Sequence, residues 1–229
     1  MSKINMMNGD CMEYMSSLPD NAYELAIADP PYGSENIKGG YTSNKRSSKG
    51  SADPKLYNLS LWKHESPKKE YWDELFRISK NQIIWGANHF ISAIPFDSPC
   101  WIVWDKQNEN TGFADCELAW CSFQSAVRKF EFRWNGMLQG NMKNKESRIH
   151  PTQKPIALYK WLLKNYAKPG DRILDTHGGS GSICIACHDM GFDLDWIELD
   201  EDYYNAATKR FNTHTAQGSL FEFQGGNIA

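Results

Sequence analysis

Residues 173–198 carry the sequence pattern that most constrains how this chain can fold. A short apolar run leads through Asp175 into a glycine-rich turn at 178–181, and an apolar segment of helical character follows. Glycines let the backbone of such a turn approach a ligand closely, and the first turn of the next helix presents unpaired N–H groups. A second apolar run ends in Glu198, at about the spacing where a carboxylate binds the hydroxyls of a ribose. The pattern therefore predicts a strand–turn–helix–strand unit that binds a nucleoside.

The turn departs from two other nucleotide-binding motifs. A dinucleotide-binding turn would place a third glycine at position 184, where this chain has Cys184. The Gly-Lys-Ser/Thr element of a triphosphate-binding loop is absent from the sequence. The expected ligand is therefore adenosine-like and lacks a pyrophosphate.

A second motif, Asp29-Pro30-Pro31-Tyr32, follows the apolar run 25–28. The Asp29 carboxylate and the Pro30 carbonyl can both accept hydrogen bonds from an exocyclic amino group. The Tyr32 ring offers a surface on which a flat base can stack. Asp-Pro-Pro also occurs in ordinary turns, but its position after a predicted strand favours a base-binding role.

Together with a third element, residues 150–155 (His-Pro-Thr-Gln-Lys-Pro), these motifs resemble those of the DNA amino-methyltransferases that use S-adenosylmethionine. Residues 29–32 resemble the catalytic motif of that family, and residues 175–182 resemble its cofactor loop. The order along the chain is that of the permuted β group. The resemblance covers residues 3–32 and 150–211.

The cofactor loop of that family reads Asp-Pro-Phe-x-Gly-Ser-Gly-Thr. Here Thr176 and His177 replace the proline and the phenylalanine, and Ser182 replaces the threonine. Asp175 and both key glycines remain, so the resemblance implies that cofactor binding is retained.

The resemblance also implies a set of site residues and no metal. The implied catalytic residues are Asp29, Pro30, Pro31 and Tyr32. The implied cofactor-binding residues are Asp10, Cys11, Asp29, Thr152, Gln153, Lys154, Asp175, Thr176, Gly179, Ser180, Gly181, Ser182, Glu198 and Leu199. Asp10 resembles the acid that accepts a hydrogen bond from the adenine of the cofactor, and a role as helix N-cap is equally compatible with its position.

The implied reaction is direct, in-line methyl transfer to the exocyclic N6 of an adenine that is flipped out of a DNA duplex. Adenine is preferred because in that family Asp-Pro-Pro-Tyr accompanies mostly adenine, and Ser-Pro-Pro-Tyr mostly cytosine N4. Cytosine N4, an RNA substrate, and a catalytically silent DNA-binding partner subunit with the same fold remain open. A homodimer and a cognate restriction endonuclease are the protein partners that the resemblance suggests.

Basic residues cluster in two segments of a chain whose net charge is −3. Segment 33–66 has no periodicity and is rich in glycine, serine, asparagine and lysine, while segment 128–148 is also basic. A long aperiodic segment inside a domain is typically functional or disordered, and basic segments meet phosphates. We therefore expect 33–66 to be a DNA-contacting loop, against the alternative of ordinary solvated charge. Its candidate phosphate-binding residues are Lys38, Lys45, Arg46 and Lys49.

Predicted strands and helices alternate along the chain. The predicted strands are 3–7, 23–28, 81–85, 100–104, 116–122, 129–134, 171–174 and 192–197. The predicted helices are 11–17, 68–79, 154–167, 180–190 and 201–211. This alternation predicts an α/β fold with a doubly wound, mainly parallel sheet of seven to eight strands and helices on both faces. The resemblance implies the Rossmann-like methyltransferase fold, as one domain over residues 1–229 with a loosely held C-terminal tail at 214–229.

Ligands of such sheets bind outside the carboxyl ends of the strands. We therefore expect Asp29, Asp175, Glu198 and residues 8–10 to share one rim of the sheet.

No apolar stretch approaches 18 residues, and no apolar signal segment opens the chain, so we expect a cytoplasmic protein without a membrane partner. The six cysteines are interpreted as reduced core residues. Residues 184–188 fit a Cys-x-x-Cys-His haem-attachment pattern, but their place at the start of a predicted helix favours core packing.

Overall fold

Ten strands and five helices form within residues 2–33, 65–108, 114–135 and 138–225, the parts of the chain that the computed structural model describes, with side chains as far as residue 217. The strands are β1 (Ile4–Asn8), β2 (Tyr23–Ala28), β3 (Ser79–Trp85), β4 (Cys100–Asp105), β5 (Cys116–Cys121), β6 (Arg128–Glu131), β7 (Trp134–Asn135), β8 (Leu138–Gln139), β9 (Arg172–Asp175) and β10 (Asp193–Glu198). The helices are α1 (Cys11–Ser16), α2 (Lys69–Ile78), α3 (Ile156–Tyr166), α4 (Ser182–Met190) and α5 (Glu201–Gly225), with one 3₁₀ turn at Ala87–His89.

Eight of these strands form one mixed sheet in the order β1-β10-β9-β2-β3-β5-β4-β6. Strand β5 runs antiparallel to both of its neighbours, and the other pairs are parallel. Strands β7 and β8 form a separate small antiparallel pair. The predicted mainly parallel α/β sheet is confirmed.

Helices cover both faces of the sheet because successive side chains of the central strands point to opposite sides. In β2, Leu25 and Ile27 pack with residues of α3 and α4, whereas Ala26 and Ala28 pack with residues of α1 and α2. Strands that are buried on both faces read as continuous apolar runs, and this explains the unbroken apolar sequence of residues 25–28.

Strands β9 and β2 mark the point where the chain changes direction across the sheet. From β9 the chain proceeds to β10 on one side, and from β2 it proceeds to β3 on the other. The register pairs Leu25 with Ile173 and Ala26 with Leu174. The next strands align Asp175 with Trp196, and Glu198 with Asn8. The carboxyl ends of β1, β10, β9 and β2 therefore lie side by side on one rim.

The cysteines of α4 belong to the core. Cys184 and Cys187 are fully buried and pack in the same cluster as Leu158 and Leu162 of α3. Burial raises the pKa of both thiols above the ordinary value. The core interpretation of this Cys-x-x-Cys-His segment is thus confirmed. Among the described residues, no helix is both long enough and apolar enough to cross a membrane.

Two predicted elements differ from the structure by more than two residues. The predicted strand 129–134 is divided between β6 and the short β7. The last helix was predicted to end at 211, but α5 continues to Gly225, so most of the segment 214–229 that we expected to form a loose tail is helical. His214 lies on this extension, and its Nε2 is 2.7 Å from Oδ1 of Asp189 on α4. That long-range contact gives the extension a partner, which the local sequence does not signal. The candidate DNA-binding residues Lys38, Lys45, Arg46 and Lys49 lie outside the described residues.

Asp195 of β10 is a buried carboxylate that holds the amino-terminal ends of three strands together. It accepts a hydrogen bond of 2.6 Å from the Tyr23 hydroxyl and others from the side chains of Asn5 and Arg172. Burial alone would raise the pKa of Asp195, but these hydrogen bonds outweigh it and hold the pKa below the ordinary value. A carboxylate with a lowered pKa stabilises the folded state at neutral pH and loses that contribution as the pH falls through its folded pKa.

We expect Asp195→Asn to lower the free energy of unfolding by about 1–3 kcal/mol at pH 7, since it removes a buried, hydrogen-bonded charge. Urea unfolding, with the exposed Asp97→Asn as a matched control, measures this difference. The difference between wild type and Asp195→Asn should shrink below about pH 4, where free aspartate takes up its proton. A difference that stayed constant at acidic pH would show that the charge of Asp195 is not its source.

Candidate active site

A cavity of about 460 Å³ opens at the rim where β1, β10, β9 and β2 end. Fourteen of the residues that the sequence predicts for the site line it: Asp10, Cys11, Asp29, Pro30, Pro31, Tyr32, Thr152, Gln153, Lys154, Thr176, Gly179, Ser180, Glu198 and Leu199. Six further lining residues were not in the predicted set: Gly9, His150, Tyr159, His177, Gly178 and Asp200. Of these, His150 belongs to the sequence element at 150–155.

Three residues predicted to bind the cofactor do not line the cavity. Asp175 is buried beneath the glycine turn and accepts a hydrogen bond from the His177 backbone N–H, at 3.0 Å. Gly181 packs against α5, and Ser182 accepts a hydrogen bond of 2.9 Å from Arg210. These residues shape the turn from behind.

The glycine turn is fastened to the end of β10 through its backbone. Gly178 donates to the Ile197 carbonyl at 2.8 Å, and Gly179 donates to the Glu198 carboxylate at 2.7 Å. Gly179 has a φ of +54°, a conformation that favours glycine. A side chain at position 178 would place its Cβ 2.0 Å from the Trp196 ring. Glycine is therefore required both for the bend and for the close packing.

Glu198 lines the cavity, and each of its carboxylate oxygens accepts one hydrogen bond from the backbone. One oxygen accepts from Gly179, and the other accepts from the Asp200 N–H at 2.8 Å. Burial raises the pKa of Glu198 above its ordinary value. Because a carboxylate oxygen has two lone pairs, each oxygen can still accept a hydrogen bond from a ligand hydroxyl.

Asp10 caps α1, because its Oδ1 accepts from the Met12 N–H at 2.7 Å. The N-cap role is confirmed, and the same side chain also lines the cavity. Its neighbour Cys11 is half-buried, and burial together with the charge of Asp10 raises the pKa of the thiol to about 12. Cys11 is therefore a neutral packing residue at neutral pH.

Asp29 is held at both of its oxygens. Oδ1 accepts a hydrogen bond of 2.8 Å from the Tyr32 hydroxyl, and Oδ2 forms an ion pair with the ammonium of Lys154. Lys154 is buried, and its Nζ also lies 3.3 Å from Oε2 of Glu117 on β5. Sequence reasoning missed Glu117, because nothing in the local sequence of β5 distinguishes it from an ordinary strand residue.

The Tyr32 ring is packed by residues that follow β3. His89 stacks on it at a centroid distance of 4.8 Å and an angle of 14°, and Phe90 contacts it edge-on at 6.0 Å. Gly86 has a φ of +67°, and a Cβ there would lie 2.1 Å from the ring. The turn after β3 therefore fixes the ring beside Asp29.

Thr176 and His177 form a hydrogen-bonded group with Tyr71 of α2. The Thr176 hydroxyl is 2.7 Å from the Tyr71 hydroxyl and 3.0 Å from His177 Nδ1. The His177 ring packs edge-on against Tyr71 at 5.2 Å. Burial lowers the pKa of His177 to about 4, so the ring is neutral at neutral pH. An uncharged ring thus remains on the cavity wall.

His150 is likewise a neutral, buried ring. Burial, reinforced by the charge of Lys154, lowers its pKa to about 4. Its Nδ1 lies 3.1 Å from the Thr152 hydroxyl, and its ring packs edge-on against Tyr203 at 4.3 Å. The cavity thus combines acidic groups, neutral rings and backbone amides.

This chain is similar to known proteins in sequence and in fold. The model of a DNA methylase family matches residues 55–209. The type II methyltransferase M.HinfI of Haemophilus influenzae is 24% identical over 90% of this chain and 67% of its own length. The crystal structure of an M1.HpyAVI–SAM complex is 21% identical with a TM-score of 0.53, covering 92% of this chain and 100% of that one. The cytosine-N4-specific PvuII DNA methyltransferase is 13% identical with a TM-score of 0.59, covering 92% of this chain and 87% of its own. The two solved structures share the fold of this chain.

We expect Gly178→Ala to lower the free energy of unfolding by about 1–3 kcal/mol, because the added methyl group overlaps the Trp196 ring. Gly9→Ala is the matched control on the same rim, since nothing lies within 4 Å of a Cβ at that position. Urea unfolding of both variants gives the comparison. Equal stability of the two would mean that the turn shifts freely away from Trp196.

Proposed function

This chain belongs to the DNA methylase family, whose model matches residues 55–209 of its 229 residues, and we propose that it transfers a methyl group from S-adenosylmethionine to the exocyclic N6 of adenine in DNA. The observation that carries this proposal is the shared cavity of the two motifs. Residues 29–32, suited to an amino group, and residues 178–180, suited to a nucleoside, line one space of about 460 Å³. Such a volume lies within the range of small-molecule sites.

The residues present fit the proposed cofactor. Glu198 retains lone pairs for two ribose hydroxyls, and Asp10 offers an acceptor to the amino group of an adenine. The positive φ of Gly179 and its lack of a side chain allow a ligand to approach the backbone closely. When bound, S-adenosylmethionine supplies a methyl group that its positively charged sulfur has activated for transfer.

The role of the chain is to place the amine of the target base. The lone pair of an exocyclic amine is delocalised into the ring, which makes the nitrogen a poor nucleophile. Hydrogen bonds from its two N–H groups to the Asp29 carboxylate and the Pro30 carbonyl orient the nitrogen toward the methyl group and stabilise the charge that develops on it. A base in duplex DNA must leave the helix to reach this cavity, and stacking on Tyr32 compensates for part of the lost stacking.

Adenine is the target that the sequence motif favours, since Asp29 opens an Asp-Pro-Pro-Tyr motif. The intact motif also argues against a catalytically silent subunit. Cytosine N4 is the alternative, because it presents the same kind of amine and because a cytosine-N4-specific enzyme shares the fold.

We expect the purified protein to transfer tritium from labelled S-adenosylmethionine to duplex DNA, with N6-methyladenine as the labelled nucleoside. Asp29→Ala should lower the transfer rate by at least about 100-fold, because it removes the acceptor for the target amine. Its cofactor affinity, measured by calorimetry, should change only slightly.

Labelled N4-methylcytosine would assign the enzyme to cytosine. Transfer to RNA but not to DNA would reassign the substrate. Near-normal turnover by Asp29→Ala would contradict the proposed role of the carboxylate.

We further propose that the basic segment 33–66 contacts DNA phosphates. Neutralising Lys45, Arg46 and Lys49 together should make the slope of log K against log salt shallower by up to about 2.7, at roughly 0.9 per phosphate contact. Fluorescence anisotropy with a labelled duplex measures the slope. The matched control neutralises Lys3, Lys164 and Lys168, three exposed lysines away from the cavity rim. An unaltered slope in the first variant would move the DNA-binding surface to residues 128–148.

A further inference from the structure

Four charged side chains form a continuous line that leads away from the cavity. Asp29 pairs with Lys154, Lys154 lies 3.3 Å from Glu117, and Glu117 pairs with Lys106 at the end of β4. The exposed fractions of these side chains are 17% for Asp29, 2% for Lys154, 24% for Glu117 and 15% for Lys106. Only Asp29 and Lys154 line the cavity. Glu117 and Lys106 lie behind them, outside every motif of the sequence.

The line is electrically balanced, with two acids and two lysines. Burial opposes the charge of Lys154, yet Asp29 and Glu117 outweigh it and raise its pKa above the ordinary value. Burial likewise opposes the charge of Glu117, but Lys154 and Lys106 hold its pKa below the ordinary value. Lys154 and Glu117 are therefore charged at neutral pH.

Lys154 is fixed from three directions. The carboxylates of Asp29 and Glu117 lie close to its ammonium, and the centroid of the Trp85 ring is 5.4 Å from Nζ. A buried ion pair must be hydrogen-bonded well to offset desolvation, and one carboxylate would be enough to balance one ammonium. Glu117, which is itself paired with Lys106, is a second anchor that holds the ammonium in place while it donates a hydrogen bond to Asp29.

We propose that Glu117 is a positioning residue for methyl transfer, which acts through Lys154 to keep the Asp29 carboxylate oriented toward the target amine. This inference rests on the proposed function. With Glu117 present, the Lys154 ammonium is held in place as it hydrogen-bonds one oxygen of Asp29, and Tyr32 fixes the other oxygen. Without the charge of Glu117, the ammonium loses its second anchor, and it then holds the Asp29 carboxylate less firmly in the orientation that the amine requires. Glu117 therefore affects the transfer step and leaves cofactor binding unchanged.

The first test is Glu117→Gln, which keeps the size of the side chain and removes its charge. We expect the single-turnover rate of methyl transfer to fall by roughly 10- to 100-fold, the range for losing one charge-assisted hydrogen bond in the transition state. The affinities for S-adenosylmethionine and for DNA should stay within about twofold, far below the tenfold change that 1.4 kcal/mol would cause. Glu131→Gln is the matched control, because it removes a glutamate charge that pairs with Lys129 on the exposed strand β6.

The second readout is the dependence of that rate on pH. The ionisable groups around Lys154 are Asp29 after β2, Glu117 on β5, Asp175 at the end of β9 and His150 in its own segment. Removing the Glu117 charge lowers the pKa of Lys154, since one of its two stabilising carboxylates is gone. The decline in rate at high pH should therefore begin at a lower pH in Glu117→Gln than in wild type. A purely structural role for Glu117 would leave unchanged the pH at which the rate begins to decline.

Lys106→Met is a second variant that keeps the test independent of the stability of Glu117→Gln. Lys106 contacts Glu117 but not Asp29, so its loss should lower the rate less than Glu117→Gln does and should preserve cofactor affinity. If the wild type is active and both Glu117→Gln and Lys106→Met transfer the methyl group at the full rate, this inference is overturned and the proposed function stands. Loss of cofactor affinity in step with the rate would also overturn it, because that result assigns Glu117 a structural role. A wild type that transfers no methyl group to DNA would overturn the proposed function and this inference with it.

Discussion

The pairing of β2 with β9 is the constraint on which the rest of the structure depends. It joins a strand from the beginning of the chain to a strand near its end, with Leu25 beside Ile173 and Ala26 beside Leu174. A shift of one residue would turn the alternating side chains of β2 from one helical layer to the other. The same shift would move Asp29 out of line with the glycine turn that follows Asp175. The packing of the core and the geometry of the cavity therefore both require this register between β2 and β9.

The rim that this register creates concentrates acidic groups. Burial, together with the charges of Asp29 and Glu198, raises the pKa of Asp175 to about 8, which favours its protonated form at neutral pH. Protonation of Asp175 relieves repulsion at the place where the strands end. His150 is neutral as well, which leaves Lys154 as the cation among the described residues that line the cavity. A cavity with this balance complements a cationic ligand, and the sulfonium of the proposed cofactor is one.

The sequence predicted most of the fold because local signals and tertiary packing agree there. Every predicted strand overlaps an observed one, since apolar runs such as residues 25–28 serve only as buried strands. The motifs also indicated most residues that line the cavity. Glu117 and the extension of α5 could not be predicted in this way. Glu117 takes part through Lys154, which lies far from it in the chain, and His214 of α5 finds its partner on α4. Contacts of that kind leave no periodic signal in the residues that make them.

Lys154, which was predicted to bind the cofactor, does line the cavity, but the sequence does not show which protein groups its ammonium contacts. Its position in the segment 150–155 placed it near the cavity, but a sequence does not show where a long side chain ends. The structure directs the ammonium of Lys154 to Asp29 and Glu117, which are both carboxylates. A buried lysine requires such partners, so the acid of the catalytic motif and an acid of β5 determine where it points.

The hydrogen bonds that Asp29 can accept do not by themselves distinguish the two candidate bases. Adenine N6 and cytosine N4 both present N–H donors, and under the proposed function the Asp29 carboxylate and the Pro30 carbonyl can accept from either. A purine and a pyrimidine differ in size, so the choice falls to the walls around the Tyr32 ring. His89 stacks on that ring at 4.8 Å, which leaves no room for a third ring between them. Gly86 prevents the ring from retreating, because their contact is already close. Residues 86–90 after β3 therefore fix the position of the Tyr32 ring on the cavity wall, although no motif marks them.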